Sequence, residues 1–309
     1  MNLNIEISSF LEEHGFSCSH QSIGGLKVIT TRLPNDNDSV RIIIPVDISA
    51  KNIDTALAQQ EELKDAIATI SDRSGRYPLI ITQDRWTTQR EVMHRRLLSH
   101  LEVFFPVYAR NCEVRRIDKK EAAEFLQKAH SYADAACRYR YGLFLKRHTG
   151  HIAASGQSLE YMPGTLVAVA TFSNARKWIK GDKVIRSYEW TRYASLPQLR
   201  VNGGMGKLMK AFIQDVHPDD IMSYADLEWS EGGVYEKLGF TAEERKSPVT
   251  FEIDSQMQRR PVVLSSASTD HDPESSHVQD SQSPPVRTGN LFYINQGSMK
   301  YRLKLTEYE

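Results

Sequence analysis

The chain has 309 residues, 40% of them apolar and 25% charged, with 39 Lys and Arg against 39 Asp and Glu. That length holds two domains or one with large insertions, and the zero net charge excludes a whole-chain field steering it to nucleic acid or an acidic membrane. Cys18, Cys112 and Cys137 are far apart and form no CxxC pair, which argues against a disulfide framework and a structural zinc site.

No metal is therefore expected. The start, Met1 to Glu6, lacks the basic-then-apolar layout of a signal peptide, and no apolar run nears the ~20 residues that span a bilayer. The expectation is a cytoplasmic protein with no membrane partner. Basic residues outnumber acidic ones between Arg90 and Arg147, which leaves room for a local basic surface.

Residues 1–107 read as an α/β module. Ile5–His14 is a helical stretch; Leu26–Arg32 and Val40–Val46 have strand character, divided by the turn-rich Pro34 to Asp38. Asn52–Ile70 is a helix whose Ala56, Leu57, Leu63, Ala66, Ile67 and Ile70 form an apolar stripe. Tyr77–Thr82 is β-rich and leads into Asp84-Arg85-Trp86, and a further helix covers Gln89–Leu101. Strand and helix alternate, as in a sheet with helices packed on it.

Residues 108–309 form a second domain by pattern. Val107–Ile117 reads as a strand, Lys119–Ser131 as a helix, and Tyr141–Leu145 and Thr165–Phe172 as strands around a polar insertion. Ser187–Ala194 is the next strand, followed by a glycine loop, a helix over Gly204–Val216, and a strand at Ile221–Ala225. A short helix at Gly232–Leu238 precedes a strand at Val249–Ile253. Residues 255–288 are polar and almost free of aromatics, so they read as a disordered insertion inside the domain. From Asn290 two strands flank Asn295-Gln-Gly297, read as a terminal hairpin.

The richest stretch chemically is Leu199-Arg-Val-Asn-Gly-Gly-Met-Gly-Lys-Leu208, with three glycines at the start of a helix whose Met205, Leu208, Met209, Phe212, Ile213 and Val216 make a core face. Free N–H groups and the helix dipole there favour an anion, and glycine lets backbone approach a pyrophosphate. Alone, such a loop is more often only a turn. His148-Thr-Gly-His151 has no third ligand nearby and reads as solvated loop. Asp47, after the second strand, has no [Asp/Glu]-x-Lys partner to complete a nuclease metal site, and Arg110, Arg115, Arg116, Lys119 and Lys120 read first as a solvated face.

Val201-Asn-Gly-Gly204-Met-Gly206 resembles the [Gln/Arg]-x-x-Gly-x-[Gly/Ala] cofactor loop of the GNAT acyltransferase superfamily, with Val201 in place of Gln/Arg and Arg200 beside it. Val-Tyr-Glu-Lys-Leu-Gly-Phe240 resembles the family's second hallmark, Tyr-x-x-x-Gly-Phe. Ser223-Tyr-Ala-Asp226, Tyr108 to Arg110, Phe125, Leu126, His130, Gly142, Leu143 and Arg192 are similar to phage GNAT-like domains, including Mom-type DNA-modification proteins. The resemblance covers about residues 78–254 and the terminal strands; in several of those proteins a nuclease-like α/β segment comes first, commonly ending in an acidic-x-Trp element like Asp84-Arg85-Trp86, which makes 1–107 a nuclease-like but inactive module by resemblance, with 1–77 matched by no motif.

The resemblance implies a GNAT-type α/β (α+β) fold: a mixed, mostly antiparallel sheet flanked by helices. It implies acetyl-CoA or another acyl-CoA as cofactor, held by Arg200, Val201, Asn202, Gly203, Gly204, Met205, Gly206 and Lys207. It also implies transfer to an amine acceptor, a nucleobase amine of DNA being one candidate. Tyr235 takes the position of the phenol that protonates the departing thiolate, Asp226 and Glu189 are candidate bases, and Ser223 and Arg192 face the cleft or serve the core. The alternative is a GNAT-fold nucleic-acid-binding accessory protein without catalysis, for which Val201 speaks.

Overall fold

The computed structural model describes residues 2–33, 36–132, 134–152, 158–230, 232–262 and 289–308. Its elements, numbered along the chain, fall into two compact units that interleave in sequence. The first comprises Met1–Thr88, Asp226–Glu231 and Arg245–Ser298; the second comprises Gln89–Ala225, Gly232–Glu244 and Met299–Glu309. The chain passes repeatedly between them, since the first unit recruits strands from the C-terminal third.

In the first unit, α1 (Leu3–Glu13) precedes the antiparallel β1 (Cys18–Ile23), β2 (Leu26–Leu33) and β3 (Asp36–Val46), and α2 (Ile53–Ser74) crosses over to β4 (Leu79–Thr82), parallel to β3. The α2 stripe meets expectation: Ala56, Leu63, Ala66, Ile67 and Ile70 are buried, whereas Leu57 is 46% exposed. Asn52 Oδ1 accepts the Thr55 N–H at one end and Gly75, at φ +62°, ends the helix at the other. The turn α3 (Gln83–Thr88) follows β4.

Three more strands belong with this unit. In their sheet β16 (Thr250–Ile253) is central, between β17 (Arg259–Pro261) and β18 (Leu291–Ile294). Two expectations change here. Residues 255–262 are ordered, because Arg259–Pro261 completes a ladder with Phe251–Ile253; residues 263–288 lie outside the described residues. The terminal strands are no hairpin: β18 pairs with β16, and β19 (Ser298–Lys304) joins a different sheet.

The second unit is a large mixed sheet flanked by helices. It opens with α4 (Arg90–His100), β5 (Phe105–Tyr108), a 3-10 turn at Ala109–Asn111, β6 (Cys112–Arg116) and α5 (Lys119–Ala129), so the expected single strand over 107–117 is two strands around a turn. Then come β7 (Tyr139–Leu145), the small hairpin β8 (Thr149–Ile152) and β9 (Ser158–Tyr161), β10 (Leu166–Phe172), β11 (Arg176–Lys180) and the long β12 (Lys183–Ser195). The polar insertion expected after Leu145 therefore carries β8 and β9. Finally β13 (Leu199–Asn202) leads into α6 (Gly204–Val216), β14 (Asp220–Asp226), α7 (Gly233–Lys237) and β15 (Thr241–Lys246).

The eight-stranded sheet runs β15-β19-β14-β12-β10-β7-β6, with β11 pairing β12. β12 runs parallel to β14 and antiparallel to β10 and β11. On one face α6 packs through Leu208, Met209 and Phe212, the last stacked on Phe172 with ring centroids 3.9 Å apart. On the other face α5 buries Ala122 and Leu126 against Val169 and Ala194. Period-2 alternation along β10 and β12 serves both helices at once, which fixes the register of the sheet centre.

Candidate active site

The site lies in the second unit, where β12 and β14 part company. Their parallel ladder holds for three pairs, Ser187 with Asp220, Tyr188 with Ile221 and Glu189 with Met222. Beyond Glu189 no further β12–β14 pair is formed among the described residues, although both strands continue, to Ser195 and Asp226. On its other side β12 bulges: Arg192 pairs with Thr171 and Trp190 with Phe172, leaving Thr191 as the extra residue. A bulge increases local twist and re-aims the side chains around it. Parting and bulge fall within three residues of each other.

Across the gap the contact is made by side chains. Ser223 Oγ, on β14, lies 3.0 Å from the Trp190 carbonyl oxygen and 2.9 Å from Tyr235 Oη. Ser223 is buried, and α7 brings the phenol to it. Gly232, at φ +83°, starts α7 because a Cβ there would come within 2.4 Å of the Tyr301 ring. Tyr301 in turn stacks on Tyr235, and Phe240 meets the same ring edge-on. Burial raises the Tyr235 pKa and the Glu189 charge adds to this, while Ser223 works against it.

Glu189 is 4% exposed, and its main chain exchanges hydrogen bonds with Ser173. Arg192 has its pKa lowered by burial, opposed by the charge of Glu189 and by Tyr132, Asp134 and Cys137. Its Nη1 donates to the Thr191 carbonyl at 2.7 Å and its guanidinium lies 5.7 Å from the Tyr132 ring centre. Glu189 therefore lies within electrostatic range of both Tyr235 and Arg192. Asp226 goes elsewhere. It belongs to the first unit, where Oδ2 is 3.5 Å from Arg85 and Oδ1 accepts the Glu228 N–H.

The glycine loop is built as a helix start. Gly203 sits at φ +76° as the N-cap of α6 and supplies no side-chain cap, so the first amides of the helix keep their donors. Gly204 is tightly enclosed: a Cβ would come within 2.9 Å of Tyr193 Oη and 3.0 Å of Val201 Cγ1. Val201 is a core residue, 6% exposed and paired in register with Val107 of β5. Arg200 is exposed with its guanidinium over the Phe104 ring at 4.9 Å, and Asn202 is exposed too. Lys207 turns inward: Nζ donates to the Ala109 and Cys112 carbonyls at 2.9 and 2.6 Å. It ties the 3-10 turn to α6.

Of the residues singled out in the sequence, Ser223 and Tyr235 are in hydrogen-bond contact, the phenol feels the Glu189 charge, Asp226 lies against Arg85 and the Glu228 amide, and Lys207 lies on two carbonyls. Motif reading misses Trp190, Tyr193 and Tyr301, which lie in no motif; Tyr301 comes from a strand 66 positions after Tyr235 in the chain. Among the described residues no group of three or more His, Cys, Asp or Glu is placed to hold a metal, and no helix is long and apolar enough to cross a membrane. His148 lies 3.7 Å from Glu160, at the β8–β9 hairpin.

No family profile matches the chain, and no curated protein does. Among solved structures the chain is similar to the crystal structure of Eis1 from Mycobacterium abscessus, at 16% identity and a TM-score of 0.29, over 46% of this chain. The match spans about a third of that protein, 33% of its length. At that TM-score the likeness bears no weight, and the functional reading rests on the geometry of the strands and side chains.

Proposed function

We propose that the second unit is a GNAT-type N-acyltransferase that moves an acyl group from acyl-CoA, acetyl-CoA in the simplest case, to an amine. One observation carries the reading: β12 and β14 separate just where a buried serine meets a half-buried tyrosine, and the chain leaving β12 leads through β13 into a helix that starts on uncapped amides. In a continuous sheet that separation would leave main-chain groups without partners, so it calls for an occupant with polar groups of its own. A pantetheine arm, an extended chain with amides, fits that requirement.

The residues fit the cofactor through backbone more than side chain. The amides of Gly204, Met205 and Gly206, with the positive end of the helix dipole, would hold the pyrophosphate. Arg200 is the exposed cation next to them, and Val201 supports the loop from the core. When bound, acyl-CoA supplies an activated thioester carbonyl.

Tyr235 holds a proton at Oη, and its raised pKa keeps the phenol protonated through neutral and mildly alkaline pH. The single Ser223 proton can point to the Trp190 carbonyl or to Tyr235 Oη. Turning toward Tyr235, it stabilises the phenolate once that proton has left. Glu189 offers a buried carboxylate to take a proton from the acceptor amine, with the charge of Arg192 within range of it. Excluding water and aligning the amine supply the larger share of the rate.

Calorimetry of the full chain with acetyl-CoA tests the cofactor. Binding in the micromolar range is expected, and none at millimolar acetyl-CoA would overturn the reading. Thiol release measured against a panel of small amines, peptides and DNA then sorts the acceptor, with nucleoside mass spectrometry of exposed DNA testing a nucleobase amine directly.

A further inference from the structure

The sheet face covered by α5 carries charge beyond the end of that helix. Val169 and Ala194 pack under α5; Thr171 and Arg192 lie two residues away on the same strands, and so on the same face. Arg140 of β7 is the register partner of Thr171 on its other side. Arg140, Thr171 and Arg192 therefore form one row across β7, β10 and β12. The bulge at Thr191 adds Glu189 to this face. In a regular strand, residues three apart point to opposite sides; here Trp190 stacks on Phe172 on the α6 side, which turns Glu189 to the side of Arg192.

The chain that follows α5 supplies the rest of the group. Cys137 lies beside Thr171 and within electrostatic range of Arg140, Asp134 and Arg192, and Tyr132 lies against the Arg192 guanidinium. Two buried atoms here are unsatisfied: Arg140 Nε donates to no acceptor and Asp134 Oδ1 accepts from no donor among the described residues. Buried polar atoms are otherwise paired, so a spare donor and a spare acceptor in one neighbourhood call for a ligand that carries both functions. Glu189 is buried, whereas Arg192 is half-buried next to the exposed Tyr132. An entering molecule thus meets the guanidinium first and the Glu189 carboxylate further in.

We infer that this row selects an α-amino acid as the acyl acceptor, its carboxylate on Arg140 and Arg192 and its ammonium facing Glu189 and Asp134. The inference rests on the acyltransferase reading and names its substrate class. Guanidinium forks match a planar carboxylate with paired hydrogen bonds. Two cations and two anions balance here, and a zwitterion keeps that balance, whereas a doubly charged phosphate adds charge that nothing matches. The short charge separation of an α-amino acid suits a guanidinium and a carboxylate already within range of each other. Glu189 takes one proton from the ammonium, and the freed nitrogen pair bonds to the thioester carbonyl carbon as the C–S bond breaks. The thiolate takes the Tyr235 proton, a second proton from the nitrogen restores the phenol, and Glu189 returns its proton to solvent. The products are an N-acyl amino acid and CoA.

Thiol release by the full chain with acetyl-CoA tests it, measured for each proteinogenic amino acid against its own carboxamide, with phosphoethanolamine and duplex DNA alongside. A charged hydrogen-bonding partner contributes ~10-fold or more, so two arginines should favour the best amino acid over its carboxamide ~100-fold in kcat/KM. The carboxamide loses its ammonium proton more readily, so a preference for the acid comes from the site. Arg140→Gln should cut that ratio ~10-fold, mainly through KM of the acid. The ratio is taken within one preparation, which cancels any loss of folded protein. Equal turnover of acid and carboxamide overturns the inference, as does a preference for phosphoethanolamine or DNA, or bound acetyl-CoA with no amino acid acylated. Each of these leaves the cofactor reading standing. Failure of acetyl-CoA to bind removes that reading, and the inference with it.

Discussion

The buried polar cluster of the first unit and the candidate site of the second are built on opposite plans. In the first unit, Asp84 accepts Arg259 through both carboxylate oxygens, Nη2 to Oδ1 at 2.7 Å, and Arg259 also donates to Thr82. Arg85 lies 3.3 Å from Glu228, whose other oxygen accepts the Tyr293 hydroxyl. Opposite charges are matched, as burial of ions requires. The second unit also holds a matched pair, Asp220 with Arg302 at 2.8 Å, but its candidate site is neutral at the centre, a phenol and a hydroxyl, with its carboxylate and guanidinium set to one side. Matched charges stabilise one arrangement and leave little for a ligand; a proton donor beside a gap in a sheet leaves room for chemistry.

Four sets of variants test this contrast. Tyr235→Phe should have the largest effect, lowering kcat ~100- to 10,000-fold while calorimetry finds acetyl-CoA bound as before. A variant with full turnover would remove Tyr235 from the mechanism.

Arg259→Met should leave turnover of the folded enzyme alone and cost about 3 kcal/mol of stability in urea denaturation, because Asp84 would be left buried without its partner. Burial pushes the Asp84 pKa up, but the hydrogen bonds and charge of Arg259, with help from Thr82 and the Arg85 amide, hold it below the usual value. Its contribution is thus fully present above the unfolded value of ~3.9 and is lost as pH falls through the lower folded value. The Asp84→Asn variant should show a flatter decline of stability in acid.

Gly204→Ala should weaken acetyl-CoA binding ~10-fold, or about 1.4 kcal/mol, because the new methyl meets Tyr193 Oη and Val201 and must shift the first turn of α6. Unchanged affinity would mean that this helix start does not grip the cofactor. The smallest effect is a displacement of the pH profile. Glu189 raises the Tyr235 pKa, so in the turnover left after Glu189→Gln removes the base, itself a loss of ~100-fold or more, the alkaline limb of kcat should lie at lower pH, whereas Ser223→Ala should move it higher. Movement of both in one direction would contradict the arrangement.

Much of the molecule is legible locally. The helix from about Gly204 to Val216 is legible, because three glycines mark its start and a 3/4-spaced face marks its extent. The stripe of α2 is equally plain. Arg176–Lys180 does not show itself as a strand, since its lysines and arginine hide the alternation. Val201 reads as a departure from a phosphate contact, yet its burial against Val107 shows a side chain with a core role.

Short-range signals suffice for helix faces, caps, and the order of the glycine loop and the Tyr235 turn. Strand pairing is set by long-range packing. Leu291–Ile294 and Ser298–Lys304 are separated by three residues, and each satisfies its main-chain groups in a different sheet. A strand's pattern names the face it buries and not the neighbour it bonds. For the same reason no local signal could place Tyr301 on Tyr235, pair Arg259 with Asp84 across the chain, or end the β12–β14 ladder at Glu189.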